Sequence, residues 1–326
     1  MATTLWDTTG GEVVRALLAE RRAAGAIASG LALTLVVVVE EGRVREAEEA
    51  ATIAAAAHPC RVIIVVRHAI DAAIRLDAEV QVGGRLGATE AVVMRMYGRL
   101  ALHAESIVLP LLAPDAPVVT WWHGSPPDEI ATDALGVLAS RRVTDCAQCP
   151  DPLAALRKRA QDFVPGDTDL AWTRATPWRS LLASALDGVS ATPSAADVTA
   201  EAHNPSAALL TGWLSSRLGL SATLQPSSGP GITSAQVLTL ESDGTEYRVT
   251  IDRPDGRSAT LRRGAEDSRM LPLPRRELGD LLAEELRRMD PDPVYADALA
   301  TTTGVHVDER PRSRVLVWRD PALSPS

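Results

Sequence analysis

Cys146 and Cys149 stand in C-x-x-C spacing just before a predicted helix start, where the positive end of a helix dipole stabilises a thiolate. Redox switching is the chemistry that placement permits, and two ordinary thiols are the other reading. Zinc needs more ligands than this pair supplies: there is no second C-x-x-C, and no histidine lies at ligand spacing. Gly83, Gly84 and Gly87 invite a nucleotide-binding reading, but that fingerprint needs a strand running into a helix, and here both flanks read as strands. No G-x-x-x-x-G-K-[ST] run occurs either. The six histidines fall in unrelated contexts. Only His123 has a suggestive place, at the C-terminal end of a predicted parallel strand, the usual ligand edge of an open α/β sheet. No acid/base pair, nucleophile or cofactor loop emerges, so no catalytic, cofactor-binding or metal-ligating residue is assigned.

Tryptophan placement is the more unusual feature, since the chain has seven Trp and one Phe. Trp121 and Trp122 are adjacent, just ahead of His123, and Trp172 and Trp178 interleave with Arg174 and Arg179. Trp and Arg are the residue types that dominate protein–protein hot spots, because they join a rigid contact area to a planar donor fork. On that reading Trp172, Arg174, Trp178, Arg179, Trp121, Trp122 and His123 are partner-binding candidates. The other reading makes Trp172 and Trp178 core residues with an arginine stacked on them.

Bulk properties narrow the function classes. At 326 residues the chain is long enough for two domains with real cores, and its 46% hydrophobic and 23% charged content is that of a folded globular protein. A net charge of −9 argues against nucleic acid and anionic membranes, whose phosphates call for a basic stripe. Lys158 is the single lysine, so nearly all positive charge is arginine. The most apolar run, residues 31–39, is far short of the roughly 20 residues needed to span a bilayer. The first residues lack a basic stretch followed by an apolar one, so a cytoplasmic location is expected, with the three cysteines as thiols.

The elements that must position these residues follow from periodicity. Helical spacing covers 10–24, LALTLVVVV at 31–39 reads as a buried strand, 43–57 as a crossover helix and 60–67 as the next strand, together a β-α-β unit. A hairpin follows over 76–97, then a helix over 99–112, the strand 118–124, a helix over 128–140, a short strand at 142–144 and a helix over 151–162. Pro165-Gly166 marks a hinge, and the stretch after it forms either one helix or a loop up to Thr176 with a helix starting at Pro177. Asn204 before Pro205 predicts a cap and a helix over 205–218. Ser242-Asp243-Gly244 and Pro254-Asp255-Gly256 turn a three-stranded meander over 235–264, and 275–290 reads as an amphipathic helix. The expected architecture is an α/β domain over 1–163, with a mainly parallel sheet, an antiparallel hairpin and helices on both faces. A smaller α+β domain carrying the meander follows over 164–304, with a loosely ordered tail over 305–326.

Three stretches carry a resemblance: HPCRVIIV at 58–65, LPLLAPDAPVVTWWHG at 109–124 and PGDTDLAWTRATPWRSLLA at 165–183. They are similar to those of the OpcA family, the glucose-6-phosphate dehydrogenase assembly proteins, and the arginine- and alanine-rich composition resembles actinobacterial members. The resemblance implies a two-domain, non-catalytic protein that binds glucose-6-phosphate dehydrogenase, promotes its active oligomer as an allosteric or assembly factor, and so feeds the oxidative pentose phosphate pathway. A sugar phosphate is a possible effector of such a protein. The alternative reading is a small-molecule binder or enzyme at the sheet edge near His123, with Arg61 or Arg142 reaching an anionic substrate. It rests on fold analogy alone.

Overall fold

The structure is a computed structural model that describes residues 2–25, 30–83 and 90–307. The chain divides into two compact units, one holding residues 1–144 and 277–291, the other residues 145–276 and the stretch from Asp292.

In the first unit β1 (Ala2–Leu5) leads through a turn into α1 (Gly10–Ala23). Thr9 caps that helix by accepting the Glu12 N–H while the Glu12 carboxylate accepts the Thr9 N–H, so two orphan donors of the first turn are satisfied. The chain continues through β2 (Leu33–Val39), α2 (Val44–Ala57) and β3 (Cys60–Arg67), with β2 and β3 parallel, which is the expected crossover unit. β4 (Arg75–Val82) and β5 (Glu90–Tyr97) pair antiparallel, as a hairpin requires, and β5 lies parallel to β3. The predicted turn glycines 84 and 87 lie outside the described residues. After them come α3 (Ala104–Val108), β6 (Val118–His123), α4 (Ala134–Leu138) and β7 (Arg141–Thr144). Within this unit the strand order is β1-β4-β5-β3-β2-β6-β7.

One sheet face packs Val36, Ile63, Val65, Val92 and Met94 against Val13 and Leu17 of α1 and Ala104 and Val108 of α3. The alternate side chains of the strands face α2, whose buried stripe is nearly all alanine, Ala47, Ala50, Ala51, Ala54 and Ala55, and lets helix and sheet approach closely. Two expected helices are shorter than their periodicity predicts. The stretch over 99–112 holds only α3, flanked by 3-10 turns at 98–103 and 109–111; Pro110 has no N–H to extend an α-helix there. The stretch over 128–140 shrinks to α4, because residues 128–133 form bends and turns around the buried Ile130 and Asp133 caps a helix that begins only at Ala134.

In the second unit come α5 (Pro152–Asp162), β8 (Asp167–Asp169), α6 (Leu170–Arg174) and α7 (Thr176–Leu186). The segment after the hinge is thus two helices broken at Ala175, with Pro177 in the first turn of the second, where a missing N–H costs nothing. β9 (Thr192–Glu201), α8 (Pro205–Leu218), β10 (Thr223–Ser227), β11 (Ile232–Leu240), β12 (Glu246–Asp252), β13 (Ser258–Arg263) and β14 (Arg269–Pro272) follow. Asn204 caps α8 by accepting the Ala207 N–H. The sheet order is β10-β9-β11-β12-β13-β14, with β9 and β10 parallel and the rest antiparallel, so the meander sits inside a larger sheet.

The chain then returns to the first unit as α9 (Leu278–Leu286), which packs on α2, and goes back to the second as α10 (Pro293–Thr303), which packs on α8. The division at 144/145 places α5 with α8 and α10, ahead of the boundary at 163 that the sequence suggests. Of the expected tail, residues 308–326 lie outside the described residues.

Candidate functional site

The segment from Asp145 to Arg179 gathers most of the residues singled out by type. Asp169 caps α6: its Oδ1 accepts the Ala171 N–H at 2.8 Å and its Oδ2 the Cys146 N–H at 2.9 Å. That one carboxylate therefore ties the C-x-x-C stretch to the helix carrying Trp172 and Arg174. Arg174 forms a two-pronged pair with Asp145, Nη1 to Oδ1 at 2.6 Å and Nη2 to Oδ2 at 2.7 Å, and Asp145 is fully buried. Burial works to lower the Arg174 pKa, but the hydrogen bonds and charge of Asp145 outweigh it, and the guanidinium is held above its ordinary value.

Trp172 is buried, stacks at a tilt on Tyr295 with ring centroids 5.8 Å apart, and donates its indole N–H to Asp292 at 2.9 Å. The Arg179 guanidinium lies 3.4 Å above the Trp172 ring and donates to the Thr176 hydroxyl. Trp178 sits in a different cluster, with Leu182, Leu210 and Val237, under the Arg253 guanidinium at 5.0 Å. Trp172 and Trp178 thus lie on opposite sides of the α6–α7 break and share no patch. As partner anchors both are closed off in the free chain, since each is at most 2% exposed. The core arrangement with a stacked arginine describes them instead.

Trp121 and Trp122 are likewise interior, on opposite faces of β6, and their indole nitrogens meet no acceptor among the described residues. His123 follows at the strand's C-terminal end, as expected. It is buried, with Nε2 3.0 Å from the Glu46 carboxylate of α2 and its ring tilted against Trp121 at 4.8 Å. The anion-binding partners invoked for His123 are placed otherwise. Arg61 aligns through Thr34 of β2 with Val118, five residues from His123 and so roughly 16 Å down the strand. Arg61 is moreover committed to Glu90 at 2.6 Å and to the Leu111 carbonyl, with Arg21 closing on the same carboxylate at 2.9 Å. Arg142 is buried and donates to the Ala139 carbonyl.

All three thiols are free. Burial pushes the Cys60 thiol up to about 12, and burial together with the adjacent Asp169 carboxylate raises Cys146 well above its ordinary value. A thiolate at Cys146 is therefore disfavoured, because desolvation and a carboxylate outweigh a one-turn 3-10 helix at 146–148. No cluster of three or more metal-ligating side chains occurs among the described residues, and no described helix is long and apolar enough to cross a membrane. Asp145, Asp169 and Asp292, which fix the tryptophan and arginine side chains, were not distinguishable in sequence from ordinary cap and turn aspartates.

Two solved structures resemble the chain in outline. A dehydrogenase (MviM) from Clostridium difficile is 7% identical, with 83% of this chain and 96% of that chain covered at a TM-score of 0.40. An oxidoreductase from Sinorhizobium meliloti is 11% identical, with 84% and 95% covered at 0.39. Similarity at that level says nothing of activity. No curated relative matches. Residues 51–161 match the family model of the glucose-6-phosphate dehydrogenase subunit N-terminal domain, and residues 165–299 match that of the same subunit's C-terminal domain. Both halves of the chain thus match one subunit in order and in adjoining segments, and the protein belongs to the OpcA family of glucose-6-phosphate dehydrogenase assembly proteins.

Proposed function

We propose that the chain is a non-catalytic accessory subunit that binds glucose-6-phosphate dehydrogenase in the cytoplasm and promotes its assembly into the active oligomer. The observation that carries this reading is the paired family match over 51–161 and 165–299. The side-chain geometry supports it: His123 is buried against Glu46, Arg61 is bound to Glu90, Arg174 is bound to Asp145, and the Cys146 thiol is held protonated. These four groups are all engaged in contacts within the fold. The dehydrogenase contact is then carried by exposed surface rather than by the four interior tryptophans, with Arg174 and Arg179, both partly exposed at the α6–α7 break, as its candidate members.

The test is co-purification of the full chain with the dehydrogenase of the same organism, combined with the dehydrogenase rate and oligomer size with and without the chain. Co-elution with a raised rate or a larger oligomer is the expected result. Separate elution with unchanged rate and size overturns the proposal, and NADPH production from glucose 6-phosphate by the chain alone overturns its non-catalytic part.

A further inference from the structure

The second unit contains a cavity of about 220 Å³ between the start of α8, the turn before β11 and the segment after β14. Its charged lining is one-sided. Arg174, Arg253, Arg275 and Arg276 contribute four guanidinium groups against the single carboxylate of Glu201, in a chain whose net charge is −9. Glu201 is turned to the backbone, accepting the Gly231 N–H, and Arg174 is already matched by Asp145.

Arg253 and Arg275 are the unbalanced members. Arg253 is 6% exposed, and its hydrogen bonds go to the neutral carbonyls of Ile232 and Leu273, while its Nε is buried with no acceptor among the described residues. Arg275 likewise bonds a neutral oxygen, the Pro230 carbonyl at 2.6 Å. Both guanidinium groups converge on Gly231, since a Cβ placed there would lie 3.7 Å from Nη2 of each. Burying a guanidinium beside another without a counter-charge is costly. That cost appears as a lowered Arg253 pKa, caused first by burial and then by Arg275, with the Asp255 carboxylate offsetting it only in part. An anion between the two would remove it.

The remaining walls suit such a ligand. Asn204 and Ser206 place the first turn of α8 at the cavity, and the Ser206 N–H belongs to the set that has no intrahelical acceptor. Trp178, Ile232 and Leu273 supply an apolar side. Two guanidinium forks and a helix N–H on different segments offer more donors than the two oxygens of a planar carboxylate use, and suit the three oxygens of a tetrahedral phosphate. The volume is below the roughly 300–1,000 Å³ of drug-sized sites, so the occupant is compact.

We propose that this cavity is a binding site for a small phosphate monoester, with Arg253, Arg275 and the α8 N-terminus on the phosphate and the Trp178 side on its carbon part. The inference stands independently of dehydrogenase binding, because it rests on the cavity of the free chain.

Isothermal titration of the full chain in chloride buffer tests it, with inorganic phosphate, glucose 6-phosphate and glucose as the probes. Both phosphates are expected to bind saturably in the millimolar range or tighter, and glucose not at all. Arg275→Ala should weaken both phosphates at least tenfold. Arg275 is exposed, so its loss should leave the melting temperature in place. Arg275→Gln serves as a second variant that keeps a donor for the Pro230 carbonyl and removes the charge; it should weaken binding comparably. No saturable phosphate binding by the wild type, binding of glucose alone, binding of inorganic phosphate but not the sugar ester, or unchanged affinity in the folded Arg275 variants would each overturn the assignment.

Discussion

Arg174 grips both oxygens of the fully buried Asp145 carboxylate, although the two residues are 29 positions apart and belong to different segments of the second unit. Removing the guanidinium would leave that carboxylate desolvated and short of charge-assisted donors. Arg174→Ala should therefore cost on the order of 3 kcal/mol of folding stability, the usual penalty for orphaning one member of a buried pair. A lowered urea midpoint is the expected reading, and an unchanged midpoint would show that the pair contributes nothing. Any loss of dehydrogenase binding in this variant has to be judged beside its midpoint.

Arg141 and Glu285 make the corresponding pair in the first unit, with Arg141 also donating to the Asp290 carbonyl at 3.1 Å. Both are buried. Glu285→Ala should cost about 3 kcal/mol, whereas Arg141→Met combined with Glu285→Leu should recover most of the loss, since an apolar replacement leaves no charge unmatched. Denaturant unfolding of the two variants beside the wild type decides it. A double variant no better than Glu285→Ala would indicate that the pair is needed for packing and not for charge.

Gly212 faces α10 so closely that a Cβ there would fall 2.1 Å from the Thr302 hydroxyl and 2.6 Å from the Ala298 carbonyl. Gly212→Ala should thus destabilise by about 1–3 kcal/mol through overpacking, despite alanine's better helix propensity. A rise in melting temperature would mean that α8 and α10 separate easily.

Cys60 and Cys146 are buried and their thiols titrate well above neutrality, while Cys149 is partly exposed. Iodoacetamide near pH 7 should label Cys149 first and the other two only as fast as the protein opens, so that denaturant accelerates them sharply. Mass spectrometry of the labelled peptides checks the order. Cys146 labelling at the rate of Cys149 would refute it.

Glu48 on α2 has its pKa raised by burial and by the nearby Glu79 carboxylate. A raised carboxyl pKa favours the folded state below the ordinary value of 4.5, and that contribution is lost as pH rises through the folded-state value. Glu48→Gln should therefore raise the melting temperature at pH 7, with the gain shrinking as pH falls towards 4.5. A gain that grows on acidification would contradict the sign.

Local chemistry made much of this fold legible. Asn204-Pro205 marks the start of α8, the turns at 242–244 and 254–256 set the meander, and the β-branched run over 33–39 yields a strand buried on both faces. β9 was not legible: it carries Pro193 and small residues such as Ala195 and Ala196, and is a strand because β10 and β11 pair with it. The tryptophan cluster shows a similar limit. Its residue types suit a hot spot or a core equally, and the choice falls to Asp145, Asp169 and Asp292, whose partners are remote in sequence. The convergence of Arg253 and Arg275 on Gly231 also needs the folded turn, because spacing along the chain gives no hint of it.

The return of α9 to the first unit sets the timetable of biosynthesis. β1 to β7 leave the ribosome early, yet the helix that packs on α2 emerges about 130 residues later, after the intervening part of the second unit. At elongation rates of about 5–20 residues per second the side of α2 on which α9 packs stays uncovered for roughly 7–26 s. The N-terminal sheet can assemble during that interval but cannot be completed in it. A nascent chain halted before residue 277 therefore lacks the helix that covers α2, and the first unit is completed only after most of the second has been made.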